Sequence, residues 1–498
     1  MRKWGPLVAV CLGTFMLLLD VSIVIVALPD MAGSLGASLS DLQWVIDIYA
    51  LALAALLLGA GAAADVTGRR RMYVAGTGFF AAASLACGLA TGPSMLIAMR
   101  TLQGVGGAGM LATTLSLLGA AYQGRDRSFA LGIWGAVSGA AAALGPILGG
   151  ALTQALDWRW IFFVNLPVSV AAIWLTLRTV SESRSPAGRR VDWAGTVVFA
   201  VFAGALTFAV VRAGEDGWGS FRTVATLAVA ALALAAFVVV ERRAAQPLLD
   251  LSLLRRPSFV VIMAGAMAFN AAAFGVFPYL SIWLQTLLGM SPVKAGLALM
   301  PLAGAAFVVA AVGGRLLHGV ERRYLIGGGL LLIGGGTLGQ AVLGAGSDWT
   351  ALLAGLTVAG FGVGLVSPAL GGAALASVPA HSAGMAGGAV NTARQLGYAL
   401  GVAVFGTVLT SRMTDDLDGS ARAAHALAGG GAATLRPGIP DHVLHTAFAS
   451  GLDAALLAAG AVAILAGFAV LLFLRTPAPV AAAQAGPVLQ PAAPVARP

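Results

Sequence analysis

Long apolar runs recur from one end of this chain to the other, with short polar segments between them. An α-helix needs roughly 17–25 apolar residues to cross a bilayer's hydrocarbon. On that basis the pattern predicts fourteen helices, at about 6–28, 42–64, 72–92, 94–121, 129–156, 161–178, 194–211, 223–240, 258–285, 295–312, 324–344, 350–372, 384–411 and 447–474. The seventh and eighth also admit a re-entrant reading. The first run follows MRKW but outlasts a secretory signal core and contains Asp20, so it reads as an uncleaved helix. The Pro- and Ala-rich tail, residues 477–498, reads as disordered. The expected fold class is an all-α integral membrane protein.

Composition supports that class. The chain is 59% hydrophobic and 10% charged, against about 25% charged in an average soluble protein. Too few polar groups remain to cover a water-facing surface. Of its 29 basic residues only Lys3 and Lys294 are lysine, which suggests a GC-rich bacterial genome and shifts the weight from glycine content to glycine placement. Cys11 and Cys87 fall inside apolar runs and read as packing residues rather than a disulfide.

Basic residues fix the expected orientation. With the N-terminus cytoplasmic, 20 lie on the inner side and 7 on the outer, while Arg100 and Arg394 lie within spans. Both termini are therefore expected in the cytoplasm of a bacterial cell. The net charge of +9 follows from this sidedness, so nucleic-acid binding is a poor explanation for it.

The candidate chemistry is sparse. Asp20, Asp47 and Arg100 sit in the outer half of their spans, roughly 8–13 Å below the helix ends by the helical rise. A charge at the centre of a membrane helix costs about 2.5–3.5 kcal/mol on insertion scales. An aspartate beside an arginine is held ionised, and one that loses that partner in an apolar setting takes up a proton. The three are thus candidates for proton coupling, with a static ion pair as the alternative.

Two further patterns concern movement. In GAAADVTGRRRMYVAG, Gly68 permits a turn while Asp65 sits among Arg69, Arg70 and Arg71, a charged latch between two helices. The stretch GRLLHGVERRYLIGGG repeats it 253 residues later with His318 in place of Asp65, as expected of a transporter built from related halves. In the fifth helix Gly145 and Gly149 line one face around Pro146, with Gly150 beside them, which permits close helix contact. The longest outer segment, 412–446, holds His425, His442 and His445. They read as solvated loop histidines, and no metal site is assigned.

Together these segments resemble the major facilitator superfamily. Gly61, Asp65, Gly68, Arg69 and Arg70 match its loop signature; Arg100, Gln103 and Gly104 match its fourth-helix element; Gly145, Pro146, Gly149 and Gly150 match its antiporter motif. LDVSIVIVALP, DWRWIFFVNLP and NTARQLGYALGVAVFGTV resemble its fourteen-span drug:proton antiporters more specifically. The resemblance implies a six-helix bundle over 1–180, an inserted helix pair over 181–245 and a second six-helix bundle over 246–476. It also implies a central cavity offering Asp20, Arg100, Gln103, Asn270, Phe274 and Tyr279 to amphiphilic, often aromatic or cationic, drugs.

The leading expectation is proton-driven efflux of small amphiphilic molecules from a bacterial inner membrane. The nearest alternative is an importer or passive facilitator on the same fold. A Walker A loop needs Gly-Lys, and neither lysine follows a glycine, so ATP-driven transport is not expected. No nucleophile–base group lies in the spans, so neither an enzyme nor a bound cofactor is expected.

Overall fold

A computed structural model describes residues 2–184, 192–316, 320–378 and 383–474. His318 of the repeated loop and the tail over 477–498 lie outside the described residues. Every regular element among them is helical. The first half contains α1 (Gly5–Leu35), α2 (Leu39–Thr67), α3 (Arg69–Gly88), α4 (Pro93–Ala121), α5 (Gly124–Ala155), α6 (Trp160–Phe163) and α7 (Asn165–Thr179). Then come α8 (Trp193–Asp216) and α9 (Phe221–Arg243). The second half contains α10 (Pro257–Phe274), α11 (Phe277–Ile282), α12 (Pro292–Leu316), α13 (Arg322–Leu338), α14 (Leu353–Ala376), α15 (Ala383–Asp416), α16 (Ala421–Ala428), α17 (Ala432–Leu435) and α18 (Asp441–Phe473).

Local chemistry sets these boundaries. Gly36, at φ 61°, ends α1 in the left-handed region that favours glycine. Ser38 and Asp41 form a reciprocal capping box that starts α2. α1 thus runs to Leu35, farther than the apolar run indicated, because polar capping rather than hydropathy stops it. α8 and α9 are full helices of 24 and 23 residues. The segment expected as the longest outer loop is mostly helical: α15 continues to Asp416, and α16 and α17 precede α18.

Eleven stretches among the described residues are long and apolar enough to cross a membrane. α3, α5 and α13 are not among them, yet α3 packs on α4 and α7, α5 on α1 and α12, and α13 on α14 and α18. Glycine placement permits these contacts. A Cβ at Gly106 of α4 would stand 2.5 Å from the Phe80 backbone nitrogen of α3. Where lipid is as apolar as the side chains, such close backbone approach supplies the dispersion energy that holds helices together.

The two halves meet along two seams, α2 against α15 and α5 against α12. In the first, Gln43 lies against Gly406, Thr392 Oγ1 donates to the Ala54 carbonyl at 3.1 Å, and Leu58 meets Gly388, so the helices run antiparallel. The α1–α2 turn defines the upper end of the molecule. Gln43 Nε2 donates to Tyr279 Oη at 2.8 Å and Gln285 Nε2 to the Val26 carbonyl at 2.9 Å. These hydrogen bonds join the halves at or above the middle of α2. α8 packs on both α2 and α15, while α9 packs mainly on α8.

Candidate functional site

Asp20, fully buried on α1, is the centre of a polar cluster drawn from four helices. Arg100 Nη1 of α4 donates to Asp20 Oδ2 at 2.5 Å. Gln103 Nε2 and Asn165 Nδ2 donate to Asp20 Oδ1 at 2.8 and 3.0 Å. Both amides also reach Ser84 Oγ of α3, at 3.1 and 2.9 Å, and Ser84 donates to the Phe162 carbonyl at 3.0 Å. The chain passes from α6 to α7 at Val164, three residues before Pro167, and this turn brings Asn165 to the carboxylate.

Arg100 is held on its other sides as well. Its Nε donates to the Val45 carbonyl at 3.1 Å, Nη1 reaches Gln103 Oε1 at 2.7 Å, and its Cζ lies 4.3 Å from the centre of the Tyr49 ring. A buried ion pair is tolerable when hydrogen bonds satisfy its remaining lone pairs and protons. Here they do. The cluster thus ties α1 to α3, α4 and α7 through one carboxylate.

Asp47 is placed differently. It is fully buried on α2, and neither carboxyl oxygen has a hydrogen-bond partner. The α2–α15 register puts it opposite Tyr398, whose hydroxyl is also buried without a partner. Asp20 and Asp47 thus sit in opposite environments.

The remaining expected residues separate into three groups. Gln103 belongs to the Asp20 cluster. Tyr279 Oη donates to the Val402 carbonyl at 2.6 Å and accepts from Gln43, so it joins the halves at the upper seam. Asn270 and Phe274 lie on α10 near Arg394 of α15. Arg394 Nε donates to Asn270 Oδ1 at 3.3 Å, and Phe274 makes edge-on contacts with Phe269 and Phe277. The structure does not gather these four residues around one point.

The loop signature forms a local clamp. Gly68, at φ 114°, turns the chain, and Arg69 Nη2 reaches Asp65 Oδ1 at 2.8 Å one helical turn away. Gly61 faces open space apart from Ala112 Cβ at 4.0 Å. Sequence reading passed over Glu182. Its carboxylate accepts the backbone N–H of Arg70 at 3.0 Å and of Arg71 at 3.3 Å, capping α3 from the far side of α7. Arg70 Nη1 reaches the nearby Val180 carbonyl at 3.3 Å. Glu182→Gln keeps the side chain's shape but loses its charge at a helix N-terminus. It is expected to lower stability by about 1 kcal/mol, read as a melting shift, and to slow transport without changing the Asp20 site.

The antiporter motif is a contact surface. Gly145 lies against Ser22 and Gly149 against the Ile23 carbonyl, both on α1. Gly150 faces the Pro292 carbonyl, and the Pro146 carbonyl faces Gly296, both on α12. Asn165 and Ser84 of the Asp20 cluster and Glu182 of the clamp are positions that sequence alone did not single out. Asn165 and Ser84 carried the one available signal, a hydrogen-bonding side chain inside an apolar run.

The sequence matches the Major Facilitator Superfamily over residues 10–402. It is 36% identical to the Multidrug resistance protein Stp of Mycobacterium tuberculosis, over 83% of this chain and 77% of that protein. It is 35% identical to the Tetracenomycin C resistance and export protein of Streptomyces glaucescens, over 96% of this chain and 93% of that one. Among solved structures, a bacterial homolog of the human lysosomal transporter Spinster, inward-facing and unoccupied, shares the fold. Its TM-score is 0.65 at 19% identity, covering 96% of this chain and 99% of that one.

Proposed function

The chain belongs to the major facilitator superfamily, and on that footing we propose that it exports amphiphilic drugs or antibiotics in exchange for protons. Named resistance and export proteins among its relatives support drug efflux. The observation that carries proton coupling is the buried Asp20 cluster, a carboxylate whose strongest partner sits on a different helix. Both helices belong to the first half, so the coupling step is a shift of α4 against α1 within that half as the two halves rock. Arg100 then withdraws, Asp20 takes up a proton, and the return stroke releases it.

In this reading the fold has fourteen spans: a six-helix bundle over 1–180, α8 and α9 within 181–245, and a second bundle over 246–476. α3, α5 and α13 complete the count. The upper end faces outward, as the excess of basic residues at the other end indicates. In this reading the seams seal the outer side of a bacterial inner membrane. One charge crossing about 100 mV supplies about 2.3 kcal/mol, or roughly fiftyfold accumulation, so transport needs no ATP.

We assign Asp47 as the second proton-carrying group, buried without a hydrogen-bond partner where Asp20 has three. The test starts from an efflux-deficient bacterium expressing this chain, grown against a panel of toxic dyes and antibiotics. The compound best resisted is then followed in proteoliposomes beside a pH-sensitive dye. Two protons are expected to move per molecule exported in the wild type, and about one in Asp47→Asn, because Asp20 drives the exchange and Asp47 adds a second proton to it. Compound movement without any proton movement would leave the passive-facilitator reading standing instead.

A further inference from the structure

Arg394, within α15, is a cation to which the efflux reading gives no task. It lies on α15 two residues beyond Thr392, and the Thr392–Ala54 hydrogen bond puts it level with the middle of α2. Protein encloses it, yet part of its surface stays accessible, as for a side chain facing an internal space. Its Nε reaches Asn270 Oδ1, and its Cζ lies 5.1 Å from the centre of the Phe269 ring. Among the described residues no carboxylate pairs with it, and neither terminal nitrogen finds an acceptor. Arg100, in contrast, has Asp20.

The direction it faces follows from helix geometry. At about 100° per residue, Gly388, Thr392 and Gly406 mark the α2 seam of α15, and Gly397 and Gly401 mark the α10 seam about half a turn away. Arg394 and Tyr398, one turn apart, occupy the strip between these seams. Thr407, which touches α8 through the Val210 carbonyl, lies on the opposite side. The strip therefore looks into the space between the halves. Its donors there are the two terminal nitrogens of Arg394 and the amide N–H groups of Asn270, while the Tyr398 hydroxyl stays enclosed opposite Asp47. Phe269, Phe274 and Phe277 continue from the guanidinium as a ladder of edge-on rings.

A planar fork of donors matches a carboxylate in two parallel hydrogen bonds, and adjacent ring faces take up an aromatic body. We propose that Arg394, with Asn270, anchors the acidic group of an aromatic amphiphile whose ring system rests on Phe274. This rests on the efflux reading and narrows its substrate class to compounds bearing a carboxylate. A cationic drug would meet an uncompensated positive charge.

The test uses two xanthene dyes of similar size, anionic fluorescein and cationic rhodamine 123, with the purified full chain in nanodiscs and fluorescence anisotropy as the readout. The wild type is expected to bind fluorescein at least about tenfold more tightly than rhodamine 123. Arg394→Gln should lower fluorescein affinity about tenfold or more and leave rhodamine 123 within about twofold, while Arg394→Lys, which keeps the charge without the fork, falls between. Asn270→Leu should weaken fluorescein alone by several-fold, which covers the case of an Arg394→Gln protein that does not fold. An arginine kept for binding is released from strain when removed, so the melting temperature of Arg394→Gln should hold or rise. A wild type that prefers rhodamine 123, or an Arg394→Gln protein that binds fluorescein as the wild type does, overturns the proposal. Arg394-dependent binding without proton-driven movement in vesicles counts against efflux and leaves the anion site intact.

Discussion

Asp20→Asn is expected to abolish proton-coupled export and to destabilise the protein. Asparagine fits the space and can still meet Gln103 and Asn165, but it cannot take up and release a proton. It also leaves Arg100, 1% exposed, as a buried charge without its counter-ion. Removing one partner of a buried pair costs about 3–5 kcal/mol, so the single variant alone cannot separate coupling from structure. The pair Asp20→Asn with Arg100→Gln can. With both charges gone, the amides, Ser84 and the Val45 carbonyl still supply donors and acceptors, and most of the lost stability should return as recovered melting temperature. Proton movement per compound exported should stay at the background level. Recovery of coupling in the double variant would reduce the pair to a structural bridge.

Gly150→Val carries the second large expected effect. A Cβ there would stand 2.5 Å from the Pro292 carbonyl oxygen and 2.7 Å from Val293 Cα, all backbone that no side-chain rotation can clear. Gly296 makes the reciprocal approach, with the Pro146 carbonyl against it. The branched side chain therefore wedges α5 from α12 at the seam that closes the upper end. A population shift of two decades needs only about 2.7 kcal/mol, and overpacking commonly costs about 1–3 kcal/mol. Export should fall to a small fraction of the wild-type rate while fold and membrane insertion are kept. A cysteine introduced beneath the seam should become reactive toward an impermeant thiol reagent added outside. Unchanged protection would show that this seam does not gate the upper side.

The two effects differ in how far the sequence anticipated them. Gly150 announced itself through the spacing of Gly145, Gly149 and Pro146, since a small-residue face on an apolar helix implies a close neighbour. Only the tertiary structure shows that its neighbour is α12 rather than another helix of the same half. Asp20 stood out because an acid amid LDVSIVIVALP is costly. Its partners did not, because Arg100, Gln103, Asn165 and Ser84 lie 64 to 145 residues away and meet it only after α3, α4 and α7 have packed. Glu182 was invisible for a similar reason. In the sequence it is one acid in a polar linker, and its task as the cap of α3 depends on where α7 ends.

By itself the sequence determined where helices run and which residues are out of place in lipid. Both follow from local quantities, the length of an apolar run, the chemistry of a cap and the cost of a charge within it. The tertiary structure alone decided how those charges are shared out: Asp20 amid donors, Asp47 with none, Arg394 facing aromatic rings without a carboxylate. That allocation depends on each helix's rotation and on its register against its neighbours. Backbone contacts between distant glycines set both, and no local pattern of hydrophobic and polar residues records them.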